Sequence, residues 1–177
     1  MQRQTASSAA SLAEFNKSFG DRIQALARST DLLVDGGWSS VDLAQLVRAQ
    51  LDPFLHLQGK GVDVAGPTVA LGPQALQLIG MALHELATNS TKYGVMSGGG
   101  GDIRCHWSHT EQGGLRFQWI ESGITFDPSA KKASGFGSKV LSVLAPAMVD
   151  GSADTVTSED ALTWTVTIPA AHLGKVT

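Results

Sequence analysis

The chain has 177 residues, the length of one domain with a short appendage, so a single hydrophobic core is expected. Hydrophobic residues make up 42% of it, and no apolar run approaches the ~20 residues of a membrane-spanning helix, which predicts a soluble protein without a membrane segment. The net charge of -3 disfavours nucleic acid as a partner, because such binding depends on neutralising phosphates. The single cysteine, Cys105, excludes an internal disulfide and suits the reducing cytoplasm.

Apolar residues repeat at helical spacing near the start of the chain. They recur every seventh position, with one further aromatic residue between them: Leu12, Phe15, Phe19, Leu26 and Leu33. Gly36 and Gly37 predict the end of this helix, since glycine commonly follows helix termini. The stripe fits two structures equally well, a helix packed on its own domain or one helix of a dimerising hairpin.

A second helix and two short strands are predicted next. Residues 39–42 have capping-box spacing and should open a helix that Pro53 stops. Short strands are predicted at 62–64 and 69–71, on either side of a Gly-Pro turn.

The rest of the chain alternates between helical and strand patterns. The predicted elements are, in chain order, a helix from Pro73 to Gly94, strands at 103–108 and 115–119, a helix at 137–148 and a strand at 162–168. Runs of adjacent strands with helices on one face favour an α+β two-layer sandwich over a doubly wound parallel sheet. Residues 124–134 lack apolar periodicity and lie between two glycines, which predicts a mobile lid.

Candidate chemistry concentrates on one face of the long helix. At about 100° per residue, Glu85, Asn89 and Lys92 share a side, opposite the apolar residues. A carboxylate, an amide and an ammonium over two turns suit a phosphate-bearing ligand with a divalent ion, because an Asn oxygen can bind Mg²⁺ and Lys offsets phosphate charge. The alternative is a solvated helix face with no ligand.

Two later segments add to this pattern. Glu121 ends a predicted strand with a carboxylate that could accept a hydrogen bond from the exocyclic amine of a purine. Gly135 and Gly137 open a helix, where backbone N–H groups can approach phosphate oxygens.

Together these segments resemble the GHKL ATP-binding fold, and specifically the HWE-type sensor histidine kinases. The resemblance rests on an N-box at 84–94 that includes His84, a Trp-x-Glu formed by Trp119 and Glu121, a second glycine box at 135–138, and the end of the dimerisation domain at 22–28 and 31–33. The motifs occur in the family's order and span nearly the whole chain.

The resemblance implies that the chain binds ATP with Mg²⁺ and transfers a phosphoryl group to a histidine for relay to a response regulator. It implies that Asn89 holds Mg²⁺, that Glu85 orients or activates near the γ-phosphate, and that Lys92 contacts phosphate. Glu121 would bind adenine, in the place taken by Asp in most GHKL proteins. Further ATP contacts are implied for His84, Tyr93, Gly123, Gly135, Phe136, Gly137 and Ser138.

The resemblance also implies a domain division and a homodimer. Residues 1–36 would be the second helix of the dimerisation and phosphoacceptor hairpin, and residues 37–177 the ATP-binding domain. The family's phosphoacceptor motif, a histidine followed by Arg-x-Lys-Asn, is absent, so the chain is expected to be cut from a longer protein. A second departure is Ile124-Thr125, where the family usually has Gly-Pro.

Two other functions remain open. One is a degenerate GHKL module that serves as a dimeric platform for a response regulator without ATP binding, and the other is a different ATP-using relative such as an anti-sigma serine kinase.

Among single residues, His106 and His109 are expected at the surface, and Trp38 and Trp164 in the core. His84 either packs beneath a loop or contacts phosphate.

Overall fold

The computed structural model describes residues 12–35, 40–55, 62–98, 100–123 and 136–174, without the side chains of 12–19, 35, 55 and 136. The helices are α1 (Leu12–Asp35), α2 (Leu43–Leu55), α3 (Pro73–Tyr93) and α4, which comprises three consecutive helical segments, Phe136–Lys139, Val140–Leu144 and Ala145–Ala147. The strands are β1 (Val41–Asp42), β2 (Val62–Ala65), β3 (Ala70–Leu71), β4 (Asp102–His109), β5 (Leu115–Ser122), β6 (Ser152–Thr157) and β7 (Ala161–Ile168). None of the described helices combines the length and apolarity needed to cross a bilayer.

The strands form one five-stranded and one two-stranded sheet. The order in the larger sheet is β2-β4-β5-β7-β6, with β2 parallel to β4 and every other pair antiparallel. In the smaller sheet, β1 pairs antiparallel with β3. The two short strands predicted at 62–64 and 69–71 are therefore both present, but they belong to different sheets.

The core lies between the inner face of the large sheet and the helices. Alternate residues of β4, β5 and β7 are buried, as a sheet covered on one face requires. Phe117, Trp119 and Trp164 are the largest of the fully buried side chains. They join the apolar side of α3 in a single cluster, so the predicted α+β two-layer sandwich and its core tryptophan Trp164 are confirmed. Trp38 and the predicted lid lie outside the described residues.

The start and the end of α2 both differ from the prediction. The helix begins at Leu43, and its cap is Asp42, whose Oδ1 accepts a hydrogen bond from the Gln45 N–H at 3.1 Å. The preceding residues pair with β3, so the capping box predicted at 39–42 does not open the helix. Pro53 lies inside the helix rather than ending it. It is tolerated there because the lost hydrogen bond falls in the last turn and the following Phe54 packs on the core.

Helix α4 is interrupted by a π-helical segment, Val140–Leu144, within the predicted 137–148 helix. In π geometry the Ala145 N–H bonds to the Val140 carbonyl, and the next residue, Pro146, has no N–H for the Leu141 carbonyl. The Trp164 Nε1–H donates to that carbonyl instead, at 3.2 Å. A buried indole thus compensates for the proline and fixes α4 against β7.

Helix α1 packs on α2 and α3 through a face that includes small and polar residues. Ala25, Ser29 and Leu33 are buried, whereas Ile23 is 51% exposed. The Gln50 amide donates to the Ala25 carbonyl and to Ser29 Oγ, each at 2.9 Å. The helix therefore packs on α2 and α3 of the same chain, and its buried face is rotated from the heptad stripe; its part in a dimerising hairpin stays a prediction.

Candidate functional site

The predicted polar face of α3 runs from a buried end to an exposed end. Glu85 is only 6% exposed, Asn89 is half-buried, and Lys92 is exposed next to Tyr93, which is 72% exposed. The predicted apolar side, from Leu76 to Ala87, is buried as expected. Because Glu85 is buried, a wholly solvated helix face does not describe this side of α3.

Glu85 is held by an arginine from another helix. Arg22 of α1 donates from Nε to Glu85 Oε1 at 2.6 Å and from Nη2 to Glu85 Oε2 at 3.3 Å. This forked geometry matches a carboxylate and gives a strong, directional ion pair. Arg22 was assigned to the dimerisation helix by resemblance and was not predicted as a site residue. No local signal would have found it, because 63 positions separate the partners.

The glycine segment at the start of α4 lies directly against the same carboxylate. A Cβ at Gly137 would lie 2.5 Å from Glu85 Oε2, so only glycine fits here without displacing the glutamate. The structure thus brings the predicted glycine box and the N-box helix together. Ser138 lies exposed in the same turn, and Gly135 and the side chain of Phe136 lie outside the described part.

Glu121 lies in a network of three donors at the junction of β5 and α3. Its Oε2 accepts hydrogen bonds from Ser90 Oγ at 2.9 Å and from the Val95 N–H at 3.0 Å. Its Oε1 accepts from Trp119 Nε1 at 2.9 Å. Residues i and i+2 share a face of a strand, which gives the Trp-x-Glu spacing a physical reason. Of the two oxygens, Oε1 keeps the spare acceptor capacity that a purine amine would need.

Two glycines flank Glu121 for steric and conformational reasons. A Cβ at Gly94 would collide with Glu121 Oε2, so the residue that ends α3 must be glycine for the carboxylate to sit there. Gly123 has φ of 77°, in the left-handed region that favours glycine. Ser90, which was not predicted as a site residue, also accepts from the Met96 N–H at 3.1 Å and so orders the chain after α3.

His84 of α3 is buried against α2. Its ring is tilted against Phe54, with the ring centres 5.9 Å apart, and its Nδ1 has no hydrogen-bond partner among the described residues. Burial is the main cause that lowers the pKa of His84, and the nearby Glu85 carboxylate opposes the shift. The imidazole of His84 thus packs against helix α2 rather than beneath a loop, and its contact with phosphate stays a prediction.

His106 and His109 match the expectation that they lie at the surface. His106 Nε2 lies 2.9 Å from Asp63 Oδ2, and both side chains are substantially exposed. His109 is exposed at the end of β4. Among the residues that the structure describes, no group of three or more His, Cys, Asp or Glu side chains is placed to hold a metal ion.

Comparison with known proteins identifies relatives for most of the chain. The HWE histidine kinase family model matches residues 1–68. The chain is 29% identical over 151 residues to a blue-light-activated histidine kinase of Rhizobium johnstonii, covering 85% of this chain and 43% of the relative. It is 32% identical over 114 residues to blue-light-activated histidine kinase 1 of Erythrobacter litoralis, covering 63% of this chain and 31% of the relative. The chain thus spans less than half the length of these curated relatives.

Solved structures show the same architecture. The blue-light activated histidine kinase EL346 of Erythrobacter litoralis superposes with a TM-score of 0.69 at 16% identity, over 88% of this chain and 55% of that chain. The fold is therefore that of histidine kinase catalytic domains of the GHKL type. By the family match over residues 1–68 and the curated relatives, the chain is similar to the HWE histidine kinases, as the sequence motifs predicted.

Proposed function

We propose that this chain is the ATP-binding kinase part of an HWE-type sensor histidine kinase, which transfers the γ-phosphoryl group of ATP to a histidine for relay to a response regulator. The proposal includes the division into a hairpin helix at 1–36 and an ATP-binding domain at 37–177, and a homodimer through the first of these. One observation carries it most directly. The buried carboxylate of Glu85 and the backbone of Gly137 lie against each other, although the two motifs are far apart in sequence.

The residues present fit a nucleotide with Mg²⁺. Asn89 is half-buried one turn from Glu85 and carries a hard amide oxygen, which would bind the ion. The ion, when bound, supplies charge neutralisation to the phosphates. Gly137 lets the Glu85 carboxylate lie against the first turn of α4, whose backbone N–H groups are the proposed contacts for phosphate oxygens, and Lys92 lies exposed at the other end of the face.

The chemical step then depends on positioning rather than on covalent help from the protein. A nitrogen of the acceptor imidazole attacks the γ-phosphorus, and the bond from that phosphorus to the bridging oxygen breaks with its electron pair left on ADP. The attacking nitrogen is the unprotonated one, so the proton that leaves is on the other ring nitrogen, and Glu85 is the carboxylate proposed to orient the imidazole or accept that proton. Glu121 would receive the adenine amine at Oε1.

Substitution of Asn89 tests the assignment. Asn89→Ala should sharply weaken Mg²⁺-dependent binding of a non-hydrolysable ATP analogue, because it removes the proposed oxygen ligand and leaves the packing face of α3 intact. Thr91→Ala is the matched control, since Thr91 is exposed on the same helix about 200° away and its hydroxyl donates to the Ala87 carbonyl and, at 3.9 Å, to the Met96 sulfur.

Calorimetry with and without Mg²⁺ provides the readout. Wild-type affinity in Asn89→Ala would show that the metal assignment is wrong. A wild-type protein that binds no nucleotide would favour the degenerate platform, in which the fold persists without ATP.

A further inference from the structure

Arg22 connects the first helix of the chain to the candidate nucleotide site. Its guanidinium binds both oxygens of Glu85, and the side chains of the pair are only 17% and 7% exposed. An ion pair shielded from water is screened weakly by salt, so each charge strongly affects the other. Docking of α1 therefore decides whether the negative charge of Glu85 has a compensating cation beside it.

The docking of α1 is fixed by contacts that do not involve this pair. Ser29 of α1 and Gln50 of α2 are buried, and they hydrogen-bond to each other and to the Ala25 carbonyl. Ala25 and Ser29 lie within about two helical turns of Arg22. Gly80 of α3 faces Ser29, and a Cβ there would collide with the Ser29 hydroxyl. These contacts set the register of α1 on α3 and so deliver Arg22 to one position.

Glu85 Oε2, which accepts from Arg22, also lies against Gly137. The carboxylate is therefore next to both a guanidinium from α1 and the glycine turn that opens α4. If the phosphates of ATP lie along that turn, as the proposed function requires, a negative charge at Glu85 would repel them. A guanidinium on Glu85 offsets that repulsion from outside the ATP-binding domain.

We propose that Arg22 is a positioning residue of the nucleotide site, which acts through Glu85 to favour binding of the polyphosphate, so that docking of α1 and nucleotide binding reinforce each other. The proposal rests on the proposed function. Its sign follows from charge: without Arg22, a buried carboxylate is left uncompensated beside the phosphates. Its reciprocity follows from linkage, since a contact that strengthens nucleotide binding must itself be strengthened by the nucleotide.

A set of substitutions in the full chain tests the proposal by calorimetry with a non-hydrolysable ATP analogue and Mg²⁺. Arg22→Gln should weaken binding roughly tenfold, within the range typical of coupled sites. Arg22→Lys keeps the charge and should retain most of the affinity. The double variant Arg22→Gln with Glu85→Gln should recover most of what Arg22→Gln loses, because the uncompensated carboxylate is gone. Arg48→Gln, which removes an exposed cation from α2, should bind as wild type.

Adenosine, titrated by NMR chemical shifts, separates charge compensation from simple misfolding. Its affinity should be the same in wild type and Arg22→Gln, since it carries no phosphate. Equal loss of adenosine and of the ATP analogue would mean that Arg22 only maintains the structure, and would overturn the proposal. So would wild-type binding of the ATP analogue by Arg22→Gln. If the wild-type chain binds neither ligand, the proposed function fails, and that result differs from the two that overturn the role of Arg22 alone.

Discussion

Glu85 and Glu121 show two ways in which this chain compensates a buried carboxylate. Glu85 is paired with a guanidinium, whereas Glu121 accepts hydrogen bonds from a hydroxyl, a backbone N–H and an indole N–H. A carboxylate taken out of water without such partners would cost several kcal/mol, roughly, in folding free energy. Neutralising Glu85 would therefore disrupt an ion pair, whereas neutralising Glu121 would disrupt a set of hydrogen bonds.

Glu121→Gln should destabilise the fold. The three groups that hydrogen-bond to Glu121 are all donors, and an amide has only one oxygen, so its NH₂ must face either the Trp119 indole or the donors at the end of α3. We expect the free energy of unfolding to fall by about 1–3 kcal/mol, measured by urea denaturation. The control is Glu111→Gln, an exposed residue in the turn between β4 and β5. Equal stability of the two variants would contradict the network described here.

His84 should make stability depend on pH in a defined direction. Burial lowers the pKa of His84 below its ordinary value of 6.5 in the folded chain, where Arg22 and Arg28 also lower it and Glu85 and Asp21 oppose them. The unfolded chain therefore takes up this proton first as the pH falls. Stability from His84 is fully present above 6.5 and is lost progressively below it, by at most about 1.4 kcal/mol per pH unit.

The measurement is the free energy of unfolding from pH 8 to pH 5, compared between variants. His84→Gln should flatten the decline below pH 6.5. A decline of equal slope in His84→Gln and wild type would assign the pH dependence to other groups.

Among the elements, α3 is the one that sequence reasoning predicted best. A proline at its start, a glycine after its end and a continuous apolar side are local signals, and the helix runs from Pro73 to Tyr93 as predicted. Strand β6 gave no such signal, because five of its six residues are exposed and it is polar for most of its length. The π segment of α4 also escaped prediction, since it depends on Trp164, which is distant in the chain.

The buried face of α1 could not be predicted from its heptad pattern. Leu26 of the stripe is only half-buried, whereas Ser29 is completely enclosed. The reason is tertiary: Gln50 supplies partners for the polar groups, and Gly80 leaves room for the serine hydroxyl. Hydrophobicity alone predicts that Leu26 is more buried than Ser29, and the structure shows the reverse.

Gly80→Ala should destabilise the chain, against the usual benefit of replacing glycine in a helix. The new methyl group would collide with the Ser29 hydroxyl and force α1 away, which we expect to cost about 1–3 kcal/mol in unfolding free energy. Gly20→Ala is the matched control, since that helical glycine has open space around its Cβ position and should gain about 0.5–1 kcal/mol. Ser29→Ala combined with Gly80→Ala should recover part of the loss, and no recovery would show that the collision lies elsewhere.

At the scale of the whole molecule, the candidate site forms where three helices converge. Its α3 residues are consecutive enough in sequence to be recognised together, and the glycine box was recognised by its composition. The contribution of α1 was not, because an arginine 63 positions away carries no pattern that points to Glu85. Local spacing thus predicts which side chains share one face of a helix. Which oppositely charged residue lies beside them depends on the tertiary fold.

The chain alone is expected not to phosphorylate itself on histidine. The sequence has five histidines, and none lies in the acceptor motif of the histidine kinases that it resembles. His84 is buried near the middle of α3, and His106 and His109 belong to β4. None of these three histidines therefore lies on a hairpin helix, where the family carries its acceptor. Incubation with radioactive ATP and Mg²⁺ should therefore leave no acid-labile, alkali-stable label on the chain. A separate domain that carries the acceptor histidine should take up label when it is added, and loss of that label in Glu85→Gln would tie the transfer to this site. Label on the isolated chain would mean that one of its own histidines serves as the acceptor.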